Sequence, residues 1–263
     1  MNLFCALLGS GDDESTRALR VRDALRDEAA TVLHPTLGAS IGWCGTEAPA
    51  DCATDGGGFV AVFGAGHAAP GLDGDTEVRI DVPAILARHL RARHAAGASP
   101  LAGLAGSFLA VGVDPVHGAF AGGDASGGRP PYVHVRGAEL AVSNHPAACA
   151  RLAGAGGIDR SYEDFLLIFG FLPEGRTVFT DVSALPPGQM LQADGDGWRR
   201  AAVVAAPAAA AYADVPQSED QLLDRLYDVM LRCLREQLAN ADVVGIRELF
   251  AQAAQHHVVK AIE

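Results

Sequence analysis

Lysine is almost missing from this sequence: Lys260 is the only one in 263 residues. A reaction built on a lysine amine is therefore not expected. Basic residues number 20 against 32 acidic ones, for a net charge of -12. Nucleic acid and anionic lipid surfaces are held by dense Lys/Arg patches, so neither is an expected partner. The cysteines (Cys5, Cys44, Cys52, Cys149 and Cys233) are odd in number, irregularly spaced and never arranged as CxxC. That excludes a disulfide framework and a CxxC-based zinc site. No apolar run approaches the roughly eighteen residues that a membrane-spanning helix needs. Residues 1–10 are apolar but carry no basic n-region and no A-x-A site before Asp12 and Asp13. No secretory leader is expected, and the expected compartment is the cytoplasm.

What is present is a globular composition, with 49% hydrophobic and 20% charged residues. Leu3 to Leu8 reads as a buried strand. Glu14 to Ala30 reads as a surface helix, with Leu19, Val21 and Leu25 among charges. Thr36–Cys44 and Gly58–Gly64 are short, Gly-flanked strands, and Pro83–Ala95 is an amphipathic helix. Phe108–Val113, Ala119–Gly122, Tyr132–Val135 and Leu140–Ser143 are four strands separated by turn residues. Their succession predicts an antiparallel meander.

Ile158–Phe169 is a helix with Ser161 as expected N-cap. Thr177–Phe179 and Met190–Gln192 read as strands, and Asp194-Gly195-Asp196-Gly197 as a hairpin tip. Ala201 to Ala213 is Ala-rich and broken by Pro207. Beyond it, Ser218-x-x-Gln221 is a capping box for a helix with Leu222, Leu226, Met230, Cys233 and Leu238 on one face. The expected division is 1–200 as the main domain, 201–217 as a linker and 218–263 as a helical appendage.

Several pieces fall in a particular order. They are Leu104-Ala105-Gly106-Ser107-Phe108, Asp124-Ala125-Ser126-Gly127-Gly128-Arg129-Pro130-Pro131-Tyr132 and Leu140-Ala141-Val142-Ser143-Asn144. Phe169-Gly170-Phe171-Leu172-Pro173, Thr177-Val178-Phe179 and Leu185-Pro186-Pro187-Gly188 follow. In order and spacing this resembles the N-terminal, class II glutamine amidotransferase-like half of the asparagine synthase (glutamine-hydrolysing) family. The resemblance implies an α+β fold of the N-terminal-nucleophile (Ntn) hydrolase type. That is a four-layer αββα sandwich of two antiparallel sheets, here with a C-terminal helical appendage.

The resemblance also says where chemistry belongs. The family's nucleophile is a Cys at position 2, whose own α-amine serves as base once Met1 is removed. Asn2 stands there, and an amide has no nucleophilic atom for acyl transfer. Cys5 is expected to be structural, because strand alternation turns it to the face opposite position 2. The family's Asn-Gly-Glu substrate clamp is replaced by Gly64-Ala65-Gly66-His67. Asp81 and Asp75 are the carboxylates available to hold a glutamine amine, and a helix-start carboxylate is also a natural cap. No catalytic residue is expected.

The family's ATP loop, S-G-G-x-D-S, should follow Val244-Gly245-Ile246, but Arg247-Glu248-Leu249-Phe250 come next. No serine follows Ser218 and no glycine follows Gly245. His256-His257 near the end are adjacent helical positions, poorly placed to share one ion. No cofactor or metal is expected for this chain, since ATP and magnesium would belong to a synthetase half. The expectation is a degenerate amidotransferase domain, acting as a scaffold or regulatory domain of an ATP-dependent amide-forming system. One alternative is the front half of an enzyme like the β-lactam synthetases or lasso-peptide cyclases, which lack the N-terminal Cys, with the ATP half on another chain. A second is a truncated asparagine synthetase. The apolar stripe of helix 218–238 predicts a homo-oligomer or a separate synthetase subunit as partner.

Overall fold

The computed structural model describes residues 3–27, 30–34, 38–45, 50–51, 58–68, 90–94, 96–97, 99–102, 104–170, 172–173, 175–194, 197–203 and 218–240. The chain divides into two compact units, Met1–Ala205 and Ala206–Glu263.

The first unit is built on two six-stranded antiparallel sheets. One has the order β10-β8-β9-β1-β3-β2, from Ser183–Ala184, Tyr132–Arg136, Glu139–Ser143, Leu3–Leu8, Ser40–Cys44 and Thr31–Leu33. The other has the order β12-β11-β7-β6-β5-β4, from Gly197–Ala202, Gln189–Asp194, Gly118–Gly123, Leu104–Asp114, Phe59–Ala68 and Ala50–Asp51. Side chains two apart on a strand share a face, and this period sorts the core into layers. Phe4, Ala6 and Leu8 of β1 meet Phe59, Ala61 and Phe63 of β5 between the sheets. Cys5 and Leu7 face the other way, into a cluster with Val21, Ala24, Leu25, Ala148 and Leu152. Those residues belong to helices α1 (Glu14–Leu25) and α2 (Pro146–Ala153). On the far side, Val60 and Val62 join Phe108 and Phe120 under Leu90, in the helical residues 90–94, and Leu101. The result is the four-layer αββα sandwich that the resemblance implies.

Close approach between layers has a local cause. A Cβ on Gly42 of β3 would lie 2.2 Å from Cγ1 of Val21, so glycine is what lets α1 lie on the sheet. The Asp13 carboxylate caps α1 by accepting the Thr16 amide at 2.9 Å. Arg26 ends it in the left-handed region, at φ 52°. Arg20 of α1 then ties the layer down. Its guanidinium donates to both Glu139 carboxylate oxygens (2.8 and 2.9 Å) and to the Leu152 carbonyl (2.9 Å).

Four expectations are corrected. The strands from 104 to 143 do not form one meander. The β6–β7 hairpin lies in one sheet and the β8–β9 hairpin in the other, because the turn after Gly123 carries the chain across the sandwich. Thr177–Phe179 is not a strand; only Phe179 makes a single bridge, to Ile158. The cap of helix α3 (Arg160–Phe169) is Asp159, not Ser161, since the Asp159 carboxylate accepts the Ser161 amide at 3.0 Å. The helix expected to run to Ala30 stops at Leu25, and β2 follows. Of the Pro83–Ala95 helix, only 90–94 falls within the described residues, and these are helical.

In the second unit, α4 spans Glu219–Asn240, and the Ser218 hydroxyl accepts the Gln221 amide at 3.3 Å, as a capping box requires. Leu222, Leu226, Tyr227 and Met230 of α4 are exposed. Among the described residues, no helix is long and apolar enough to cross a membrane.

Candidate functional site

The elements that carry the family-like motifs meet where the start of β1, the end of β5, the start of β6 and the 124–131 turn come together. Phe4 stacks on Phe63 across the two sheets, with ring centroids 5.7 Å apart. The Arg129 guanidinium carbon sits 5.0 Å from the Phe63 centroid on the turn side, a cation–π distance.

Asp124 organises that turn. It is buried, and its two oxygens accept the backbone amides of Ser126 (2.9 Å), Gly128 (3.2 Å), Arg129 (3.3 Å) and Phe108 (3.3 Å). The Ser126 hydroxyl donates to it as well. Burial pushes the Asp124 pKa up. The Ser126 hydroxyl and the Gly128, Arg129 and Phe108 amides more than offset this, leaving it below the ordinary carboxylate value. Asp124 is thus a fixed anion spent on its own backbone.

Strand β5 continues past Gly64 in regular pairing with β6, as far as Ala68 opposite Leu104. Gly64 adopts φ 110°, and a Cβ there would lie 2.3 Å from the Ser107 carbonyl oxygen. The Gly64-Ala65-Gly66-His67 segment, where the family has its substrate clamp, is therefore sheet with its backbone groups engaged across the ladder.

The start of β1 is held from the opposite side. The Phe4 amide donates to Oδ1 of Asn144 at 2.9 Å, and the Ser143 hydroxyl donates to the Phe4 carbonyl at 2.7 Å. Cys5 is fully buried, and its thiol faces Ser143 Oγ at 3.6 Å. Burial pushes the Cys5 pKa up to about 12, against a smaller lowering by Ser143. A thiol so held supplies no thiolate near neutral pH. Ser143 Oγ also accepts the His145 amide at 3.1 Å, so this hydroxyl is saturated. Burial, and then Arg151, depress the His145 pKa, and Nδ1 is buried with no hydrogen-bond partner among the described residues.

Asn2, Asp75 and Asp81 lie outside the described residues. Among the described residues no group of three or more His, Cys, Asp or Glu side chains is placed to hold a metal ion. Sequence reasoning passed over Asn144 and the hub role of Asp124. Asp124-Ala125-Ser126-Gly127-Gly128 is an Asx-turn signal, which was available for Asp124. The Asn144 contact joins residues 140 apart and leaves no local trace.

No protein-family model matches the chain, and no curated protein matches it. Solved structures do. One is described as the allosteric regulatory enzyme of purine biosynthesis, with TM-score 0.43 and 12% identity over 78% of this chain and 50% of that one. Another is the glutamine phosphoribosylpyrophosphate amidotransferase of B. subtilis complexed with ADP and GMP, with TM-score 0.45 and 11% identity over 78% and 50%. The chain spans half the length of these two proteins, and neither likeness carries an activity across to it.

Proposed function

We propose that the first unit is a class II amidotransferase-like domain without glutamine-hydrolysing chemistry. It serves as a scaffold or regulatory domain in an ATP-dependent amide-forming system related to the asparagine synthase family. The observation that carries this reading is the state of β1. Its one cysteine is buried on the helix-facing side with its thiol pushed up to about 12, while Asn2 stands at the family's nucleophile position. The ordered motifs from Leu104 to Gly188 support the family part of the reading. The test is a glutaminase assay on the purified chain, with glutamate release as readout. None above the uncatalysed rate is expected, and steady turnover that survives Cys5→Ala would overturn the inactive reading.

A second reading, the front half of a β-lactam-synthetase-like or cyclase-like enzyme with its ATP half on another chain, is favoured by one specific feature. Leu167, Ile168 and Phe169 at the end of α3 are 79%, 73% and 56% exposed. Contiguous apolar surface of this kind is common where a partner packs. On either reading the α4 stripe of Leu222, Leu226 and Met230 is a proposed contact with a second copy or a synthetase subunit. Light scattering that shows a strict monomer at high concentration counts against self-association.

A further inference from the structure

We infer that α4 pairs with α4 of a second copy, the two helices running antiparallel about a two-fold axis at Met230. A second copy is thereby preferred to a synthetase subunit as occupant of the stripe proposed above as a contact. The grounds are the stripe and its charges, so the pairing does not depend on the chemistry of the first unit.

Leu222, Leu223, Leu226, Tyr227 and Met230 are 47–63% exposed, so the stripe is not covered. At about 100° per residue, all five fall within an arc of about 140° that has Met230 near its middle. An apolar arc of this width on a helix surface is a packing face.

Charge says what packs there. The first half of α4 carries Glu219, Asp220, Asp224 and Asp228 against Arg225, whereas the second half carries Arg232 and Arg235 against Glu236. A parallel pair would set acidic half on acidic half. An antiparallel pair sets each acidic half against the basic half of the other copy, and it also opposes the two helix dipoles. A second copy supplies this complement by itself, because one patch meets the same patch across a two-fold axis.

Helical spacing sets the register. Counted from Met230 at about 100° per residue, positions 224 and 235 fall about 120° and 140° round the same flank of the stripe. With the two-fold axis at Met230, position 224 of one copy and position 235 of the other come level to within about 1.5 Å along the helix, and the symmetry repeats the pair. Asp224 is exposed and has no ion-pair partner among the described residues.

The experiment is sedimentation equilibrium of the full chain over a range of concentrations, with far-UV circular dichroism on each variant to report that α4 is kept. A monomer–dimer equilibrium is expected, and Leu226→Asp should abolish it. Asp224→Arg and Arg235→Asp should each weaken the dimer about tenfold or more, because each turns two attractive pairs into repulsive ones. Asp224→Arg combined with Arg235→Asp in one chain should recover wild-type affinity, as should an equimolar mixture of the two single variants. A parallel pair cannot give the first recovery, since there position 224 faces Arg225 of the other copy. The pairing is overturned by a strict monomer at high concentration, by a dimer that survives Leu226→Asp, by single variants as tight as wild type, or by a double variant no tighter than the singles. None of these outcomes bears on glutamate release, so failure of the pairing is distinguishable from failure of the inactive-amidotransferase reading.

Discussion

Replacing Asp124 by alanine should cost the first unit about 3 kcal/mol, far more than a turn substitution normally does. Four backbone amides and one hydroxyl converge on this carboxylate, which is 2% exposed. At about 1 kcal/mol net per amide, four contacts sum to about 4 kcal/mol. Ser126 and Gly128 are exposed, so water recovers part of two of them. Phe108 is fully buried, and its amide loses the Asp124 contact with no solvent at hand, which sets the estimate at about 3 kcal/mol. For a unit of this size the loss corresponds to a Tm drop of roughly 6–12 °C. Asp124→Asn keeps one acceptor oxygen but turns an NH2 group toward the amides that the other oxygen served, and about 1–2 kcal/mol is expected.

The assay is urea unfolding, followed by far-UV circular dichroism and by the fluorescence of Trp43 and Trp198. The sign of the pH effect is fixed by the lowered pKa of Asp124. A depressed carboxylate contributes stability above its unfolded-state pKa and loses it as pH falls through the folded one. The acid limb of the stability profile should therefore flatten in Asp124→Asn. A cost below about 0.5 kcal/mol for Asp124→Ala, or Asn faring worse than Ala, would refute the hub argument.

Three further outcomes are expected. Cys5 should resist iodoacetamide at a pH of about 8 in the native chain and react freely in urea, as read by peptide mass spectrometry; rapid native labelling would contradict its burial. Arg20→Ala should destabilise by roughly 2–3 kcal/mol by stranding Glu139, whose side chain is only 12% exposed. Glu139 has its pKa lowered chiefly by Arg20, so that variant should also lose part of the stability that wild type holds above the carboxylate range; equal acid limbs would refute this. Gly64→Ala should cost at least about 2 kcal/mol, since φ 110° is hostile to a side chain and the Cβ meets a carbonyl; a neutral result in urea unfolding would mean the strand shifts freely.

The parts of this fold that were legible in the sequence are those written in a local period. The alternation of Leu3–Leu8 predicted β1 and put Cys5 on one face with Leu3 and Leu7, and the structure has both. Each hairpin between 104 and 143 was visible from its turn residues, but its sheet was not. Sheet membership depends on pairings such as Cys5 with Ser143, which no local window contains. Helix α2 went unread because Pro146 looks like the end of a turn, whereas it starts a helix whose buried face is Ala148, Cys149 and Leu152. Strand β12 continues to Ala202, two residues into the Ala-rich stretch read as linker. At the site, the turn around Asp124 was legible as a turn, but its convergence on Phe108 sixteen residues back was not.

The central place of β1 has a consequence for how the protein is made. β1 finds one neighbour nearby, in β3, but its other neighbour, β9, follows 138 residues after Cys5. At ribosomal speeds of about 5–20 residues per second, that partner emerges roughly 7–28 s later. For that interval the flank of β1 that will receive residues 140–143 is an open template for any extended chain. Once β9 arrives, a sheet closed by so distant a contact forms slowly. Yield in cells should therefore track how well nascent chains are shielded during synthesis more closely than it tracks the stability of the finished sandwich.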